Sequence, residues 1–139
     1  THGRICFGAD ARMNILDENI REDQRGLLQR WGIPVHQIGV DAGRKGMQDE
    51  EIIPFLHTLH DTTFFTRDLG FSDRKLCHPQ YCLVCLAVGK DEVAVFARRI
   101  LRHVEVDTKT KRMGAVIRVS HAGFSIWRRN VTKETYINW

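Results

Sequence analysis

Short apolar runs along the chain alternate with segments that have a helical period. Continuous apolar or β-branched runs at residues 13–16, 62–66 and 81–88 predict three buried strands. Val35, Ile38 and Val40 predict a further strand over residues 35–40. A glycine-containing basic loop at residues 41–46, here called the glycine loop, then follows. Four strands are therefore expected before the last third of the chain.

Three segments between these strands repeat apolar residues at the i, i+3 and i+4 spacing of an amphipathic helix. The first covers residues 20–31 and ends before Gly32 and Pro34, which interrupt helices. The second covers residues 52–59, and the third and most regular covers residues 93–104. Each predicted helix connects two predicted strands.

Strands that alternate with helices predict an α/β fold with a mainly parallel sheet covered on both faces. Residues 115–119 and 124–127 flank a Ser-His-Ala-Gly turn and predict a C-terminal β-hairpin at the sheet edge. A chain of 139 residues has the length of one domain. We expect that domain at residues 13–130, between an N-terminal extension (residues 1–12) and a C-terminal tail (residues 131–139) whose packing the sequence leaves open.

The composition adds expectations about partners and location. No apolar run approaches the roughly 20 residues that a membrane-spanning helix needs, so we expect no contact with a membrane. Residues 1–12 lack the basic start and apolar stretch of a secretory signal, which predicts a cytoplasmic protein. A formal net charge of +4 makes a polyanion such as nucleic acid a plausible partner.

Four residues that lie close together in sequence raise the question of a zinc site: Cys77, His78, Cys82 and Cys85. Cys82 and Cys85 both belong to the apolar run, where residues three apart point to opposite faces of a strand. Two such side chains cannot converge on one ion. We therefore predict reduced thiols in the core, as expected in a reducing compartment.

Acidic residues stand next to predicted strands and helices at three places. Asp17 and Glu18 follow the first strand, Asp49 and Glu50 open the second helix, and Asp68 follows the strand at residues 62–66. Open parallel sheets bind ligands at the carboxyl ends of their strands. Clustered carboxylates repel one another unless protons or a cation neutralise them, and Mg²⁺ or Mn²⁺ prefers oxygen ligands. The pattern predicts an acidic metal site.

Each acid also has a purely structural explanation, because Asp at such a junction often caps a helix. Taken singly, Asp49 and Asp68 are better explained as caps. For Asp17 this explanation is weaker, since Asn19 and Glu22 form a capping-box pattern ahead of the first helix. The convergence of three acidic places favours the metal site.

Basic residues surround these acids. Arg44, Lys45 and Arg67 are candidates to bind phosphates on either side of a scissile bond, although a solvated loop is the better interpretation of any one of them. His57 and His60 are predicted on the surface. No serine or cysteine nucleophile with a partnered histidine stands out, so covalent catalysis has little support.

Three motifs in this order resemble the short bacterial PIN-like proteins, which are related to the PIN-domain toxins of toxin–antitoxin pairs. They are ILDEN at residues 15–19, GMQDEEII at residues 46–53 and FFTRDLGF at residues 64–71. The later strand, helix and hairpin also follow in the order of that family. The resemblance covers roughly residues 13–129 and is fairly specific as an ordered set.

The resemblance implies a three-layer α/β/α fold and a Mg²⁺- or Mn²⁺-dependent endoribonuclease that cleaves single-stranded RNA, commonly inhibited by an antitoxin protein. It makes Asp17, Asp49 and Asp68 the metal ligands, with Glu18 and Glu50 beside them to orient water or a ligand. The oligomeric state, a homodimer included, stays open.

The chain departs from the family at one position. Two residues after the position of Asp68 the family usually has a second Asp, where this chain has Gly70, and Asp73 is the candidate to replace it as a ligand. Gly70 supports an alternative function, a PIN-like domain that binds RNA or a protein partner without cleaving it. A third option, a metal-dependent phosphatase for small substrates, requires a closed pocket instead of an open basic groove.

Overall fold

A computed structural model describes residues 13–139, and the predicted N-terminal extension, residues 1–12, lies outside this part of the chain. The described part is an α/β structure with one mostly parallel seven-stranded sheet and four α-helices. The strands are β1 (Met13–Leu16), β2 (His36–Gln37), β3 (Thr62–Thr66), β4 (Tyr81–Leu86), β5 (Val116–Val119), β6 (Gly123–Trp127) and β7 (Thr135–Asn138). The helices are α1 (Glu22–Arg30), α2 (Asp49–His57), α3 (Val93–Arg102) and α4 (Lys109–Arg112), and two short 3-10 helices span Leu69–Phe71 and Arg74–Leu76.

The strand order is β2-β1-β3-β4-β5-β6-β7. The pairings from β2 to β5 in this order are all parallel. Strand β6 pairs antiparallel with both β5 and β7. The chain leaves β1 for β2 on one side and later returns to β3 on the other side. This reversal leaves a crevice at the carboxyl ends of β1 and β3, where open α/β sheets bind ligands.

Both faces of the sheet are covered by apolar side chains. On one face, Leu16 and Val84 belong to a cluster with Leu28 of α1 and Ile100 of α3. On the other face, a separate cluster, with Leu83 among its members, contains buried residues of α2. The strands at the centre are buried along their whole length, as expected when helices cover a parallel sheet on both sides.

The prediction of reduced core cysteines is consistent with the structure. Cys82 and Cys85 are free, buried, and part of the two different clusters, so their sulfur atoms lie on opposite faces of β4. Burial raises the pKa of each thiol to about 12. His57 and His60 are exposed, as predicted.

The predicted strand over residues 35–40 is wrong in length, because β2 contains only His36 and Gln37. The Oδ1 atom of Asp41 accepts a hydrogen bond from the Gln37 amide at 2.7 Å, and the Gln37 carbonyl accepts from the amides of Val40, Asp41 and Ala42. Gly39 has φ of 85°. A turn that consumes these backbone groups replaces the expected continuation of the strand.

One helix end differs from its prediction, and the structure places the C-terminal tail, whose packing the sequence left open. Helix α3 ends at Arg102, and Val104, which was expected on it, is 66% exposed. The C-terminal tail joins the sheet, because β7 pairs with β6 and the Trp139 indole Nε1 donates to the Ser120 carbonyl at 2.8 Å. Among residues 13–139, no helix has both the length and the apolar character needed to cross a bilayer.

Candidate acidic site

The crevice between β1 and β3 brings two of the predicted carboxylates close together. Leu16 pairs with Phe65 in the parallel ladder, and the Asp17 amide donates to the Phe65 carbonyl at 2.9 Å. Asp17 is therefore level with Thr66, the last residue of β3. Asp68 follows two residues later, at the same end of the sheet.

Asp17 is only 8% exposed. Its Oδ2 atom accepts a hydrogen bond from the Thr66 hydroxyl at 2.6 Å. Burial raises the pKa of Asp17, the hydrogen bonds from Thr66 and the Glu18 backbone oppose that rise, and the charges of Asp68 and Glu18 add to it. The Thr66 hydrogen bond thus fixes the orientation of the Asp17 carboxylate, although burial removes water from its charge.

The Thr66 hydroxyl connects Asp17 to Asp68. The same oxygen that donates to Asp17 accepts a hydrogen bond from the Asp68 amide at 3.0 Å. The Oδ1 atom of Asp68 accepts from the Gly70 amide at 2.9 Å and so caps the 3-10 helix Leu69–Phe71. The capping explanation is thus confirmed for Asp68, without excluding a second role for its other oxygen.

Asp49 comes to the crevice from α2. It is the first residue of that helix, and Gln48 is the N-cap, so the capping explanation of Asp49 is wrong. A hydrogen bond between the Asp49 and Asp68 carboxyl groups is the main cause that raises the pKa of Asp49, followed by burial and by the charges of Asp68, Asp17 and Glu50. Carboxylates that lie this close favour the uptake of a proton or a cation.

The predicted capping box ahead of α1 is also wrong. Arg21 is the N-cap of α1 and makes no capping hydrogen bond through its side chain. The Ile20 amide instead donates to the Asp17 carbonyl at 3.1 Å, which closes a turn between β1 and α1. Asn19 faces the crevice, where sequence reasoning did not place it.

The three carboxylates line one shared cavity of about 330 Å³, together with Asn19, Ile20 and Arg67. An adjoining cavity of about 340 Å³ is lined by Asp17 and Asp49 again, and by Glu18 and Glu50. We call these two cavities, with their lining residues, the acidic cleft. The structure therefore brings together Asp17, Asp49 and Asp68, and places Glu18 and Glu50 at their side.

Glu18 holds the glycine loop against the acidic cleft. Its Oε1 atom accepts a hydrogen bond from the Gly46 amide at 2.8 Å. Gly39 approaches Glu18 so closely that a Cβ atom at that position would lie 2.7 Å from Oε2. Gly46 has φ of 77°, a conformation that favours glycine. Glu18 thus has a positioning contact in addition to its charge.

The three predicted phosphate contacts have different surroundings. Arg67 lines the acidic cleft, and its Nε atom donates to the Val88 carbonyl at 2.9 Å. Arg44 forms an ion pair with Glu51 on α2. Arg44 and Lys45 are both exposed in the glycine loop and line neither cavity of the cleft.

Asp73, the candidate replacement ligand, is placed elsewhere. Its Oδ1 atom accepts a hydrogen bond from the Lys75 amide at 2.9 Å and caps the 3-10 helix Arg74–Leu76. It does not line the acidic cleft. The structure therefore does not group Asp73 with the three other carboxylates.

Buried polar residues that the sequence did not reveal support the cleft from behind. Gln37 is 2% exposed, and its Nε2 atom donates to the carbonyls of Asp17 and Ile20 at 3.0 and 2.7 Å. Its Oε1 atom accepts from Arg25 at 2.6 Å. The sequence signal was a glutamine beside His36 in a short strand pattern, which indicates neither burial nor a partner.

The donor chemistry of the cleft fits a hard divalent cation. Carboxylate oxygens are the preferred ligands of Mg²⁺ and Mn²⁺, and a cation would offset the influence of Asp68, which raises the pKa of Asp49. Among residues 13–139, however, no three or more His, Cys, Asp or Glu side chains are already arranged as a metal site. Binding a cation would thus require these carboxylates to rotate toward it.

Comparisons with protein-family models, with curated proteins and with solved structures find no match to this chain.

Proposed function

We propose that the chain is a Mg²⁺- or Mn²⁺-dependent endoribonuclease that hydrolyses phosphodiester bonds of single-stranded RNA. The observation that carries the proposal is the placement of Asp17, Asp49 and Asp68 around one cavity, at the reversal of strand order between β1 and β3. A sheet covered by helices on both faces agrees with the three-layer PIN-like arrangement that the sequence motifs suggest. A role as the toxin of a toxin–antitoxin pair belongs to the same proposal and rests on that resemblance alone.

In this mechanism Asp17, Asp49 and Asp68 would hold the cation. When bound, the cation supplies Lewis acidity to a phosphodiester and makes a water molecule more acidic. Thr66 fixes the orientation of Asp17 through its 2.6 Å hydrogen bond. Arg67, held by the Val88 carbonyl on the cleft wall, would contact a phosphate beside the scissile bond.

The open shape of the acidic cleft suits a chain-like substrate. The cleft lies at the carboxyl ends of β1 and β3, with exposed Asp49, Glu50 and Arg67 on its walls. Lys45 and Arg44 stand nearby on the glycine loop, outside the two cavities. An extended polyanion can pass over such a surface, whereas a phosphatase for small substrates would enclose its ligand.

The test is cleavage of a fluorescent single-stranded RNA by purified protein with Mn²⁺, with EDTA, and after Asp17→Asn. Cleavage should require Mn²⁺ and fall at least about 100-fold in the variant, as for loss of a major electrostatic contribution to catalysis. Asp23→Asn, which changes an exposed carboxylate on α1, is the matched control and should cleave normally. Asp73→Asn decides whether that residue is a ligand.

A second candidate function is RNA or protein binding without cleavage. Gly70 and the absence of a preformed metal cluster among the described residues favour it. Fluorescence anisotropy separates the two. Uncleaved RNA that binds equally well with Mn²⁺ and with EDTA, across several RNA sequences and with well-folded protein, would replace the nuclease with a binding module.

A further inference from the structure

A cavity outside the acidic cleft lies near the amino end of β1, on the face of the sheet covered by α1 and α3. It has a volume of about 690 Å³, larger than either half of the acidic cleft. Asn14 lines it, three residues before Asp17 and therefore about 10 Å away along the strand. This cavity shares no lining residue with the acidic cleft, so it is distinct from the site of the proposed nuclease.

Arg112 places a buried positive charge at this cavity. The residue is 5% exposed, and burial lowers the pKa of its guanidinium. Its Nε atom donates to the Thr63 hydroxyl at 3.1 Å and its Nη1 atom to the Val106 carbonyl at 2.8 Å. A guanidinium has five N–H donors, so these two bonds leave further donors for a ligand.

No carboxylate within residues 13–139 forms an ion pair with Arg112. Asp107, which also lines the cavity, pairs with Lys111 at 3.1 Å. A buried charge is normally paired, because its desolvation is costly and only a partner of opposite sign compensates it. The charge of Asp107 also raises the pKa of Arg112, but burial, which lowers that pKa, is the larger influence. Arg112 is thus only partly compensated, and its remaining donors suit an anion.

Asn14 supplies an independent sign of a missing partner. Its Nδ2 atom donates to the Pro34 carbonyl at 3.0 Å, which fixes the orientation of the amide. Its Oδ1 atom is buried and has no hydrogen-bond partner, and the side chain is 5% exposed. Buried acceptors are nearly always satisfied. Asn14 thus has an unsatisfied acceptor beside this cavity.

The remaining lining divides into an apolar wall and a charged rim. Ile33, Pro34, Val35 and Leu101 form the wall, and Arg102 is exposed at the C-terminal end of α3. A ligand that matches the arginines, the apolar wall and Asn14 has an anionic group, an apolar or planar body, and a donor group, and its anionic group would lie away from Asp107. Such a lining is typical of sites for small organic ligands.

We propose that this cavity binds a small organic anion with a planar body and a hydrogen-bond donor, of which a nucleoside monophosphate is an example. The phosphate would pair with Arg112 and Arg102, the ring would lie against Pro34 and Leu101, and an amino group would reach Asn14. The volume is sufficient for a ligand of that size. Binding there needs none of the carboxylates of the acidic cleft.

Calorimetric titration of the full chain with adenosine monophosphate, with adenosine and with inorganic phosphate tests the proposal. The monophosphate should bind with a Kd of about 1 mM or lower, and each fragment at least about tenfold more weakly. Arg102→Ala should weaken binding about tenfold. Arg99→Ala removes another exposed arginine of α3, one that stacks on Trp139 outside the cavity, and should leave the Kd unchanged.

Nuclear magnetic resonance gives a second readout that does not depend on a variant. The side-chain amide signal of Asn14 should shift on titration and saturate with the same Kd. No heat with any probe at about 10 mM overturns the proposal, as does a Kd insensitive to Arg102→Ala with an unshifted Asn14 signal. If inorganic phosphate bound as tightly as adenosine monophosphate, the cavity would be a simple anion site, and the proposal of an organic ligand would be wrong.

The outcome is independent of the proposed nuclease. The titrations can be repeated with Asp17→Asn protein, which retains every residue of this cavity. Binding in that variant with no RNA cleavage by the unaltered chain would support the ligand site while rejecting the nuclease. Cleavage of RNA by the unaltered chain, with no binding of adenosine monophosphate, would support the nuclease and reject the ligand site.

Discussion

Asp17 has a carboxylate that is buried and that also faces other carboxylates. Its pKa is raised chiefly by burial, and the Thr66 hydrogen bond compensates only in part. Such an arrangement is unfavourable for folding unless a proton or a cation is bound. Residues of this kind are common at functional sites, where stability is lost in favour of chemistry.

Replacing Asp17 with asparagine should therefore stabilise the protein at neutral pH while abolishing cleavage. A raised pKa means that the folded state holds the proton more tightly than the unfolded state, so stability falls as pH rises above the ordinary value of 3.8 and through the raised pKa. An asparagine oxygen still accepts from Thr66. We expect a gain of about 0.5–2 kcal/mol above the raised pKa and a much smaller one near pH 3.8, measured by thermal unfolding without metal.

Asp23→Asn is the control, because that carboxylate is exposed, and its effect should stay within about 0.5 kcal/mol at both pH values. A loss of stability at neutral pH in Asp17→Asn, with the control unchanged, would show that the ionised carboxylate supports the fold. Asp17 would then lack the property on which its assignment to the cleft rests.

The sequence could identify the acids but not the groups that orient them. Asp17, Asp49 and Asp68 stand out because each adjoins a strong strand or helix signal, and parallel strands bring such positions to one edge. Thr66 and Gln37 sit inside strand patterns, and their hydrogen bonds cross about 20 to 50 residues of sequence. Nothing in local periodicity encodes partners that far apart.

At the scale of elements, the C-terminal tail closes the core on the α3 side. The Trp139 ring packs against Phe124, with a centroid distance of 5.2 Å, and Arg99 lies 4.6 Å above it. Its indole nitrogen donates to the Ser120 carbonyl, which fastens the end of β7 to the turn before β6. The tail is therefore part of the fold and not an appended segment.

Trp139→Ala should destabilise the protein by about 1–3 kcal/mol, because it removes the ring contacts and the hydrogen bond together. Tyr136→Ala on the same strand is the matched control, since Tyr136 is 55% exposed, and should change stability by about 0.5 kcal/mol or less. Urea unfolding measures both. Equal effects in the two variants would mean that pairing of β7 with β6, and not the indole, holds the tail.

Element types were predictable where the hydrophobic pattern was long, and element ends were not. The strand Thr62–Thr66 and helix α3 follow directly from their patterns. Strand β2 is cut short by the Asp41 side chain, and α2 begins after Gln48, whose amide donates to Glu51 at 2.9 Å. Ends of elements depend on single hydrogen bonds between side chain and backbone, which compete with the regular pattern.

At the scale of the whole molecule, alternation of strands and helices predicts parallel pairing, but it does not determine the strand order. Placing β1 between β2 and β3 requires the chain to change direction after β2, and this reversal creates the crevice that holds Asp17 and Asp68. The cavity that contains Asn14 and Arg112 could not be predicted, because its residues come from β1, α1, β2, α3, α4 and the loops between them.

Charge also acts at this scale, since a net charge of +4 would attract the RNA of the proposed function toward an acidic cleft that alone would repel it. The affinity of inactive Asp17→Asn protein for single-stranded RNA should fall as salt rises, in proportion to the number of phosphates neutralised. Lys45→Ala should lower the slope of log Kd against log salt by about 0.7, the value for one contact to a single strand. Arg44→Ala should lower it less, because Arg44 is already paired with Glu51.

Lys133 is the matched control for this experiment. It is exposed in the segment between β6 and β7, and β6 runs antiparallel to β5, so the segment lies at the end of the sheet away from the acidic cleft. Anisotropy titrations at four salt concentrations give each slope. A slope lowered by Lys133→Ala and unchanged by Lys45→Ala would place the RNA at the opposite end of the sheet, where the carboxylates of the cleft cannot reach its phosphates.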